Sequence, residues 1–336
     1  MAKKELTPER IWKLGLGFAP PLILEAAVRN GVFDILEGGA KTLEEVASET
    51  GASPRGVRAL LNALVALEFL SKKGEAYALT PESSAFLVST KPDFQGGIFR
   101  HLSRQMLPTW LGLSESVRSG KPVTAVNQEG EGAEFFREFV EDLFPRAYPG
   151  ARVLADAMGV ATATGEVKVL DIAAGSGVWS IAFAERSPHV RVTVVDWAPV
   201  IPVARSVAEQ RGFSDRYSFV EGDLLEADFG SGHHVATLGH IVHSEGEARS
   251  RELFRKVFAA LSPGGTIAIA EWVPNEERTG PPPAMIFAVN MLVHTDFGDV
   301  FTLREMSEWL EAAGFAQIRE LEIPGPSPLI LATKPG

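Results

Sequence analysis

The spacing of hydrophobic and polar positions changes about halfway along the chain. Up to about residue 160, apolar residues recur every three or four positions, as in Val57, Leu60, Leu61 and Leu64, which predicts amphipathic helices. From Gly165 onward, short apolar runs predict strands near residues 167–172, 191–196, 217–220, 234–242 and 266–273, with helices between them near 178–186, 199–211 and 247–261. Strands that alternate with helices indicate a parallel sheet covered on both faces.

Two more helices, near 284–293 and 302–313, and two short strands, near 318–323 and 329–333, are predicted to end the chain. We therefore expect three segments: a helical front part at 1–95, connecting helices at 96–160 and an α/β domain at 161–336. The connecting helices are rich in aromatic residues, Tyr148 among them. Such residues belong to a core or line a pocket for an apolar or aromatic ligand.

The front part has the element order of a winged helix. Thr42 and Glu45 have the spacing of a capping box, Ser53-Pro54 begins a longer helix, and residues 69–79 predict a hairpin that turns at Lys73-Gly74. A winged helix suggests DNA binding, but five basic side chains face six acidic ones over residues 41–90. A DNA-binding surface carries a basic excess because phosphate contacts dominate its affinity. The pattern favours a packing or dimerisation module over a DNA-binding regulator with a ligand-sensing second domain.

Composition narrows the possible partners and surroundings. The 336 residues are 45% hydrophobic and carry a net charge of −11, which allows a large core and argues against nucleic acid as a partner. The absence of cysteine excludes disulfides, thiolate metal sites and a cysteine nucleophile. The longest uncharged apolar stretch, residues 14–24, is too short to span a bilayer, and no cleavage site follows it. We expect a cytoplasmic protein that needs no membrane.

The α/β domain begins with a strand, a glycine turn and a helix. Val169–Ile172 reads as a buried strand containing Asp171, and Ala174, Gly175 and Gly177 lead into the helix. Glycine allows close approach of a ligand to the backbone, and a helix start offers free N–H groups. The next strand ends at Asp196, where a carboxylate commonly holds ribose hydroxyls. The third strand ends in Gly222-Asp223, whose carboxylate could accept from an adenine amino group.

A dinucleotide is the first alternative for this corner. A dinucleotide fingerprint has a third glycine after Gly175 and Gly177, but Ser180 stands in its place. Pyrophosphate needs that close approach, whereas an adenosine ligand without phosphate does not. The pattern therefore favours S-adenosylmethionine over a nicotinamide cofactor.

Taken in order, these motifs and Leu261-Ser262-Pro263-Gly264-Gly265 before the fifth strand resemble those of a class I S-adenosylmethionine-dependent methyltransferase. With the winged-helix front, the whole chain resembles the dimeric small-molecule O-methyltransferases that act on caffeate, acetylserotonin, polyketides and carotenoids. The resemblance implies an α/β fold with a Rossmann-like seven-stranded domain, S-adenosyl-L-methionine as cofactor, a homodimer and a small-molecule acceptor. It also implies the cofactor-binding residues Asp171, Ala174, Gly175, Gly177, Asp196, Trp197, Gly222, Asp223, Leu224 and His240.

The same resemblance implies a general base at His243, where the family ends its fourth strand in His-Asp-Trp. A phenol with a pKa of about 10 is a poor nucleophile, and a histidine with a pKa of about 6.5 can remove its proton at neutral pH. In this chain Ser244-Glu245 replaces Asp-Trp, and Val300 stands where the family has a supporting glutamate. Asp299 is therefore the expected partner of the base, and Glu271 is a second candidate. These departures leave methylation of oxygen, nitrogen or carbon open.

The helix near 284–293 is expected to face the acceptor. The resulting substrate-site predictions are Tyr148, Met285, Asn290, Met291 and His294. Methionine adapts to irregular apolar ligands, although it fills cores equally well. His294, Asp296 and Asp299 lie close together in sequence, but loop acids of this kind are usually solvated or capping, and we expect no metal.

Overall fold

The computed structural model describes residues 6–127, 129–325 and 328–336. By the density of contacts the chain divides into two compact units, residues 1–106 and 107–336. Residues 107–160 thus fall within the second unit. The three-part division at 95 and 160 stays a prediction.

The first unit combines short helices with a small sheet. Its helices are α1 (Glu9–Gly15), α2 (Ala19–Arg29), α3 (Val32–Glu37), α4 (Leu43–Thr50), α5 (Pro54–Ala66), α6 (Pro81–Phe86) and α7 (Gly97–His101), the last continued by a π-helix at Leu102–Met106. Its strands are β1 (Lys41–Thr42), β2 (Leu70–Lys73) and β3 (Ala76–Leu79), in the order β1-β3-β2. The predicted capping box begins α4, since Thr42 Oγ1 accepts from the Glu45 amide and Glu45 accepts from the Thr42 amide. The hairpin turns at Gly74 as expected, with φ of 59°.

The N-terminal end of this unit exposes apolar side chains. No residue of α1 is buried, and Ile11, Trp12 and Leu14 are 71%, 64% and 70% exposed. By length and composition alone, the 21 residues Glu9–Arg29 could also cross a membrane. They form two separate helices here, and Pro20 and Pro21 lie in the first turn of α2. An apolar surface of this kind commonly marks a contact with another protein.

The second unit is built on a seven-stranded sheet. Its strands are β4 (Val167–Ile172), β5 (Val190–Asp196), β6 (Tyr217–Glu221), β7 (His233–Gly239), β8 (Leu261–Ala270), β9 (Ala316–Leu321) and β10 (Leu329–Thr333). Its helices are α8 (Leu107–Trp110), α9 (Leu113–Ser119), α10 (Glu129–Arg137), α11 (Phe144–Ala157), α12 (Val178–Arg186), α13 (Ile201–Gln210), α14 (Val242–Ala260), α15 (Pro282–His294) and α16 (Leu303–Ala312), with 3-10 turns at Val160–Thr162 and Ser214–Arg216.

The strand order is β6-β5-β4-β7-β8-β10-β9, and only β10 runs antiparallel to its neighbours. One buried apolar cluster lies on each face of the sheet, which is why β4 and β7 are almost uniformly hydrophobic. The chain crosses from one side of β4 to the other between β6 and β7. Ligands of such sheets bind beyond the carboxyl ends of the strands at this crossing point.

Among the boundaries that differ from the predicted ones, the starts of β8 and α14 affect the site. β8 begins at Leu261 rather than near 266, because the predicted turn at Pro263–Gly265 lies within a bulged part of the strand. The helix predicted from 247 begins at Val242 and is interrupted at Gly246, where φ is 69° and ψ is 176°. A Cβ at Gly246 would lie 2.7 Å from the Phe297 carbonyl oxygen, so only glycine fits this break.

Candidate active site

The Asp171 carboxylate connects β4, α12 and β7 beneath the glycine turn. Its carboxylate is fully buried and accepts hydrogen bonds from the Ser180 amide and hydroxyl at 3.2 and 2.5 Å and from Thr237 Oγ1 at 2.7 Å. Burial raises the pKa of Asp171 to about 6. The side chain does not line the cleft above it, so the structure places this predicted cofactor residue beneath the turn, as a support. Ser180, which stands where a third glycine was sought, supplies two of its hydrogen bonds.

A cleft opens above the turn at the carboxyl ends of β4, β5 and β7. Its empty volume is about 980 Å³, including the part open to solvent. Gly175 has φ of 56°, and a Cβ there would lie 3.3 Å from Val140, so glycine keeps the floor open. The predicted cofactor residues that line the cleft are Ala174, Gly175, Asp196, Trp197, Asp223, Leu224 and His240.

Asp196 presents a carboxylate with unused acceptor capacity. Its Oδ2 accepts from the Gly175 amide at 2.8 Å and its Oδ1 from the Trp197 amide at 2.8 Å. An ionised carboxylate has about four acceptor positions, so about two remain, one on each oxygen. Burial raises the pKa of Asp196 to about 6, and the group is still ionised at neutral pH. It could therefore accept from two adjacent hydroxyl groups.

Asp223 is held by an arginine that the sequence had not suggested. Both carboxylate oxygens accept from Arg249 Nη2, at 2.9 and 2.7 Å, and Oδ1 also accepts from the Leu225 amide at 2.9 Å. Arg249 donates in addition to Glu245 at 2.6 Å. Three of about four acceptor positions on Asp223 are filled, which leaves one for an amino group in the cleft. The four-residue spacing of Glu245 and Arg249 on α14 was the available signal for this network.

Gly177 and Gly222 shape the backbone and do not line the cleft. Gly177 caps α12 with φ of 73°. Gly222 has φ of 141°, and its amide donates to the Asp196 carbonyl oxygen at 3.0 Å. Leu224 next to them is buried at the edge of the cleft.

A buried histidine–glutamate pair lies beside the cleft. His243 Nδ1 is 2.8 Å from Oε2 and 3.1 Å from Oε1 of Glu271, and the His243 amide donates to Oε1 at 3.2 Å. The side chains are only 9% and 3% exposed. Burial raises the pKa of Glu271, but the charge of His243 and its hydrogen bonds outweigh this, and the pKa is lowered. The carboxylate therefore keeps the proton on Nδ1 and leaves Nε2 as an acceptor.

Asp299 does not partner the base, although it lies close in the backbone. Its amide donates to the His243 carbonyl oxygen at 3.0 Å, whereas its carboxylate accepts from the Val300 amide at 2.8 Å and lies 3.4 Å from Arg278 Nη1. The prediction that Asp299 supports His243 is thus corrected in favour of Glu271, the second candidate. The reason is that the loop carries the side chain away toward Arg278.

His240 occupies a strained position at the edge of the cleft. It is a non-glycine residue with φ of 62°, and its amide donates to the Ala270 carbonyl oxygen at 2.8 Å. Its Nδ1 is buried without a hydrogen-bond partner in the described chain, and burial lowers the pKa to about 4. The ring is therefore neutral at pH 7. A strained residue with an unsatisfied ring nitrogen in a cleft is characteristic of ligand-binding sites.

Two aromatic rings that are not part of the cleft lining lie next to His243. Phe287 of α15 contacts the His243 ring edge-on, with centroids 4.8 Å apart, and stacks on Trp272 at 4.9 Å. Neither ring was among the predicted site residues. The signal was present in Trp272, which directly follows Glu271, but the facing of α15 could not be read from its almost uniformly apolar sequence.

The predicted substrate residues lie elsewhere. None of the five lines the cofactor cleft. Tyr148 donates to the Glu185 carboxylate and stacks on Phe144, so it belongs to the packing of α11 against α12. Met291 is buried, Met285 is half-buried, and the Asn290 side chain accepts from Trp110 Nε1 at 2.9 Å.

Among the predicted substrate residues, His294 has a ring nitrogen that could still accept a hydrogen bond. Its Nδ1 donates to the Asn290 carbonyl oxygen at 2.9 Å, while Nε2 is buried without a partner among the described residues. Among the described residues, three could together bind a metal ion: His240, His243 and Glu271. Their possible ligand atoms lie within 4.8 Å of one another. His294 and Asp299 are not part of it.

The cleft offers hydrogen-bond acceptors for ribose and adenine and lacks the third glycine of a phosphate-binding turn, and a candidate base lies next to it. These features define the class of S-adenosylmethionine-dependent methyltransferases. Comparison with known proteins agrees. Residues 152–316 match the O-methyltransferase domain, and residues 12–89 match the O-methyltransferase dimerisation domain. The chain belongs to this family of small-molecule O-methyltransferases, and the resemblance, the fold class and the cofactor inferred from the motifs are confirmed.

Three individual similarities extend over nearly the whole chain. The 3-hydroxy-5-methyl-1-naphthoate 3-O-methyltransferase of Streptomyces sahachiroi is 29% identical over 95% of this chain and 92% of its own length. The N,N-dimethyltransferase OxyT of Streptomyces rimosus is 27% identical over 89% of this chain and 88% of its own. A crystal structure of a putative O-methyltransferase from Nostoc punctiforme covers 98% of this chain and 100% of its own, with 28% identity and a TM-score of 0.89.

Proposed function

We propose that this enzyme methylates a hydroxyl group on a small aromatic or polyketide-like acceptor, with His243 as general base and Glu271 as the residue that orients it. The observation that carries the proposal is the buried pair itself, with Nδ1 and a carboxylate oxygen 2.8 Å apart beside the cofactor cleft. One relative supports the acceptor class, since it is a 3-hydroxy-5-methyl-1-naphthoate 3-O-methyltransferase.

The residues of the cleft fit the parts of the cofactor. The free acceptor positions of Asp196 suit the two ribose hydroxyls, and the remaining position on Asp223 suits the adenine amino group. Trp197 and Leu224 would cover the adenine, and the Ala174–Gly177 turn would face the methionine part, with Asp171 supporting it from below. When bound, S-adenosylmethionine supplies an electrophilic methyl group on a positively charged sulfur.

His243 would act on the acceptor through Nε2. Because Nδ1 donates to Glu271, Nε2 carries the lone pair and can take the proton of a phenolic hydroxyl. Glu271 then stabilises the imidazolium that forms. General bases of this kind contribute about 10²–10⁴ to the rate. Trp272 and Phe287 provide flat apolar surfaces against which an aromatic acceptor could be oriented.

A homodimer is part of the proposal. The dimerisation-domain match begins at Trp12 within α1, and the apolar side chains Trp12 and Leu14 are exposed in a single chain. Burial of such side chains between two copies would stabilise the pair by about 25 cal/mol for each Å² of apolar surface removed from water. No nucleic acid and no membrane are needed for the proposed reaction.

Calorimetry with S-adenosylhomocysteine tests the cofactor site. Asp196→Ala should weaken binding at least tenfold, because two hydrogen bonds to a charged acceptor are lost, each worth about 1.5–3 kcal/mol. The control is Asp215→Ala, at an exposed acid outside the cleft, which should bind as the wild type does. Unchanged binding in Asp196→Ala would refute the assignment of the ribose site.

The second candidate is transfer to nitrogen or carbon without a general base. It is favoured by the replacement of the family's Asp-Trp by Ser244-Glu245, and one relative is named an N,N-dimethyltransferase. His243→Ala separates the two. Loss of turnover by about 10² or more on a hydroxyl acceptor supports the base, whereas turnover close to wild type on an amine acceptor supports the second candidate.

A further inference from the structure

Glu245 lies in the cofactor cleft, at the position where the family motif has tryptophan. Its side chain is only 6% exposed, and it lines the cleft together with Asp223. Its Oε2 accepts from Arg249 Nε at 2.6 Å, whereas its Oε1 accepts no hydrogen bond from a described residue. A nearly buried carboxylate oxygen without a donor is costly unless a ligand supplies one. Glu245 therefore has an acceptor position available to a ligand in the cleft.

Arg249 holds the carboxylates of Glu245 and Asp223 next to each other. Its Nε donates to Glu245, and its Nη2 donates to both oxygens of Asp223, at 2.9 and 2.7 Å. Because Nε and Nη2 lie on one edge of the planar guanidinium, the two carboxylates are neighbours. Burial raises the pKa of Glu245, and the positive charge of Arg249 opposes this shift. One cation between two carboxylates leaves a net negative charge, which favours a hydrogen-bond donor in this part of the cleft.

The free positions of the two carboxylates match a group with two N–H bonds. Asp223 has one acceptor position left after its bonds to Arg249 and to the Leu225 amide, and Glu245 has Oε1. The exocyclic amino group of adenine carries two hydrogens that point in different directions within the plane of the ring. A base with an oxygen in place of this amino group would bring an acceptor against two acceptors. A site built in this way rejects such a base, because its buried polar groups are left without donors.

We propose that Glu245 is a second residue that recognises the adenine, and that Glu245 and Asp223 each accept one N–H of its amino group. This assignment rests on the proposed function, in which Asp223 receives the adenine, and adds a specificity-determining residue to it. The alternative is that Glu245 serves the structure alone, by holding Arg249 on α14. The two roles differ in one measurable property, because a structural partner of Arg249 does not distinguish one N–H bond from two.

The experiment is calorimetry with three ligands that differ only at the exocyclic group of the base. S-Adenosylhomocysteine has two N–H bonds there, its derivative with one methyl group on that nitrogen has one, and S-inosylhomocysteine has an oxygen. Each is titrated into the wild type, Glu245→Ala and Glu245→Gln. The matched control is Glu247→Ala, since Glu247 is exposed on the same helix and pairs with Arg251 at the same four-residue spacing. Ratios of Kd within one variant cancel a general loss of affinity, so a distorted cleft does not imitate the expected result.

The wild type and Glu247→Ala should bind S-adenosylhomocysteine about 10- to 100-fold more tightly than the methylated derivative, as expected of one hydrogen bond to a charged acceptor. In Glu245→Ala the two ligands should bind almost equally, because the methyl group takes the space of the lost carboxylate while Asp223 keeps the remaining N–H. The preference over S-inosylhomocysteine should persist in this variant, since Asp223 still accepts from the amino group. Glu245→Gln should keep part of the preference over the methylated derivative, because a neutral amide oxygen is a weaker acceptor.

Two results would overturn the role of Glu245 and leave Asp223 as the adenine acceptor. One is a wild type that binds the methylated derivative as tightly as S-adenosylhomocysteine. The other is a preference that survives unchanged in Glu245→Ala, even where all three ligands bind more weakly. Equal binding of S-adenosylhomocysteine and S-inosylhomocysteine by the wild type would mean that neither carboxylate contacts the amino group, and the adenine assignment of Asp223 would fail as well. Loss of the methyl discrimination alone, with the preference over S-inosylhomocysteine retained, is the result that supports Glu245.

Discussion

Replacement of Glu271 by glutamine tests the mechanism most directly. The change is isosteric and keeps an oxygen that can accept from His243 Nδ1, but it removes the charge. A hydrogen bond to a charged group is worth about 1.5–3 kcal/mol and a neutral one about 0.5–1.5 kcal/mol. The difference of about 1–2 kcal/mol is the stabilisation of the imidazolium that is lost. At about 1.4 kcal/mol for each factor of ten, kcat should fall about 5- to 30-fold.

Coulomb's law sets an upper bound on the effect. Two unit charges about 4 Å apart attract by about 4 kcal/mol at an effective dielectric constant of about 20, which corresponds to about 10³ in rate. The pair is buried, with side-chain exposures of 9% and 3%, so screening by salt is weak. A loss greater than about 10³ would therefore mean that the variant has changed the structure of the site as well as its charge.

The assay is kcat for a hydroxylated naphthalene acceptor, together with calorimetry of S-adenosylhomocysteine binding to the same variant. Glu271 does not line the cofactor cleft, so Glu271→Gln should bind S-adenosylhomocysteine as the wild type does while kcat falls. A purely structural defect would weaken both binding and turnover.

Asp299→Asn is the matched comparison, because sequence reasoning had favoured Asp299 as the partner of the base. Its carboxylate faces Arg278, so kcat should stay within about twofold of wild type, the effect of a weak surface ion pair. Equal losses of kcat in the two variants would refute the role given to Glu271.

Three further predictions follow from burial. The folded pKa of Asp171, about 6, exceeds its ordinary value of 3.8, so folded protein binds the extra proton and stability falls as pH rises through this window. Asp171→Asn should remove about 3 kcal/mol of this fall, measured by urea unfolding at pH 4 and pH 7. Trp12→Glu should give a monomer by light scattering, because a charge would be buried between the two copies. Gly239→Ala should cost about 1–3 kcal/mol in thermal unfolding, since its Cβ would lie 2.1 Å from Trp179 Nε1.

The features that the sequence predicted well are local ones. A strand, a glycine turn and a helix follow one another within about a dozen residues, and parallel strands bring their carboxyl ends to one edge of the sheet. Asp196 and Asp223 could therefore be placed together from their positions at strand ends. The capping box of Thr42 and Glu45 was equally local and also formed as predicted.

Helix facing was harder to predict, and the acceptor site depends on it. α15 is apolar almost all round, so no stripe indicates which side is buried. Met291 and Asn290 consequently proved to be committed to packing and to Trp110, while Phe287 reaches His243.

The choice between Glu271 and Asp299 shows why the catalytic pair could not be decided from the sequence. Glu271 is 28 positions from His243 and reaches it because the strands pair in a register that sets Gly239 beside Ala270. The pairing of β7 with β8 shifts at a bulge in β8, and this bulge contains the Pro263–Gly265 segment. The Asp299 amide does lie beside His243, whereas the Asp299 side chain points toward Arg278. The family motif predicts which backbone segments lie near His243. It does not predict where each carboxylate points, because nearby cationic side chains compete for the carboxylates.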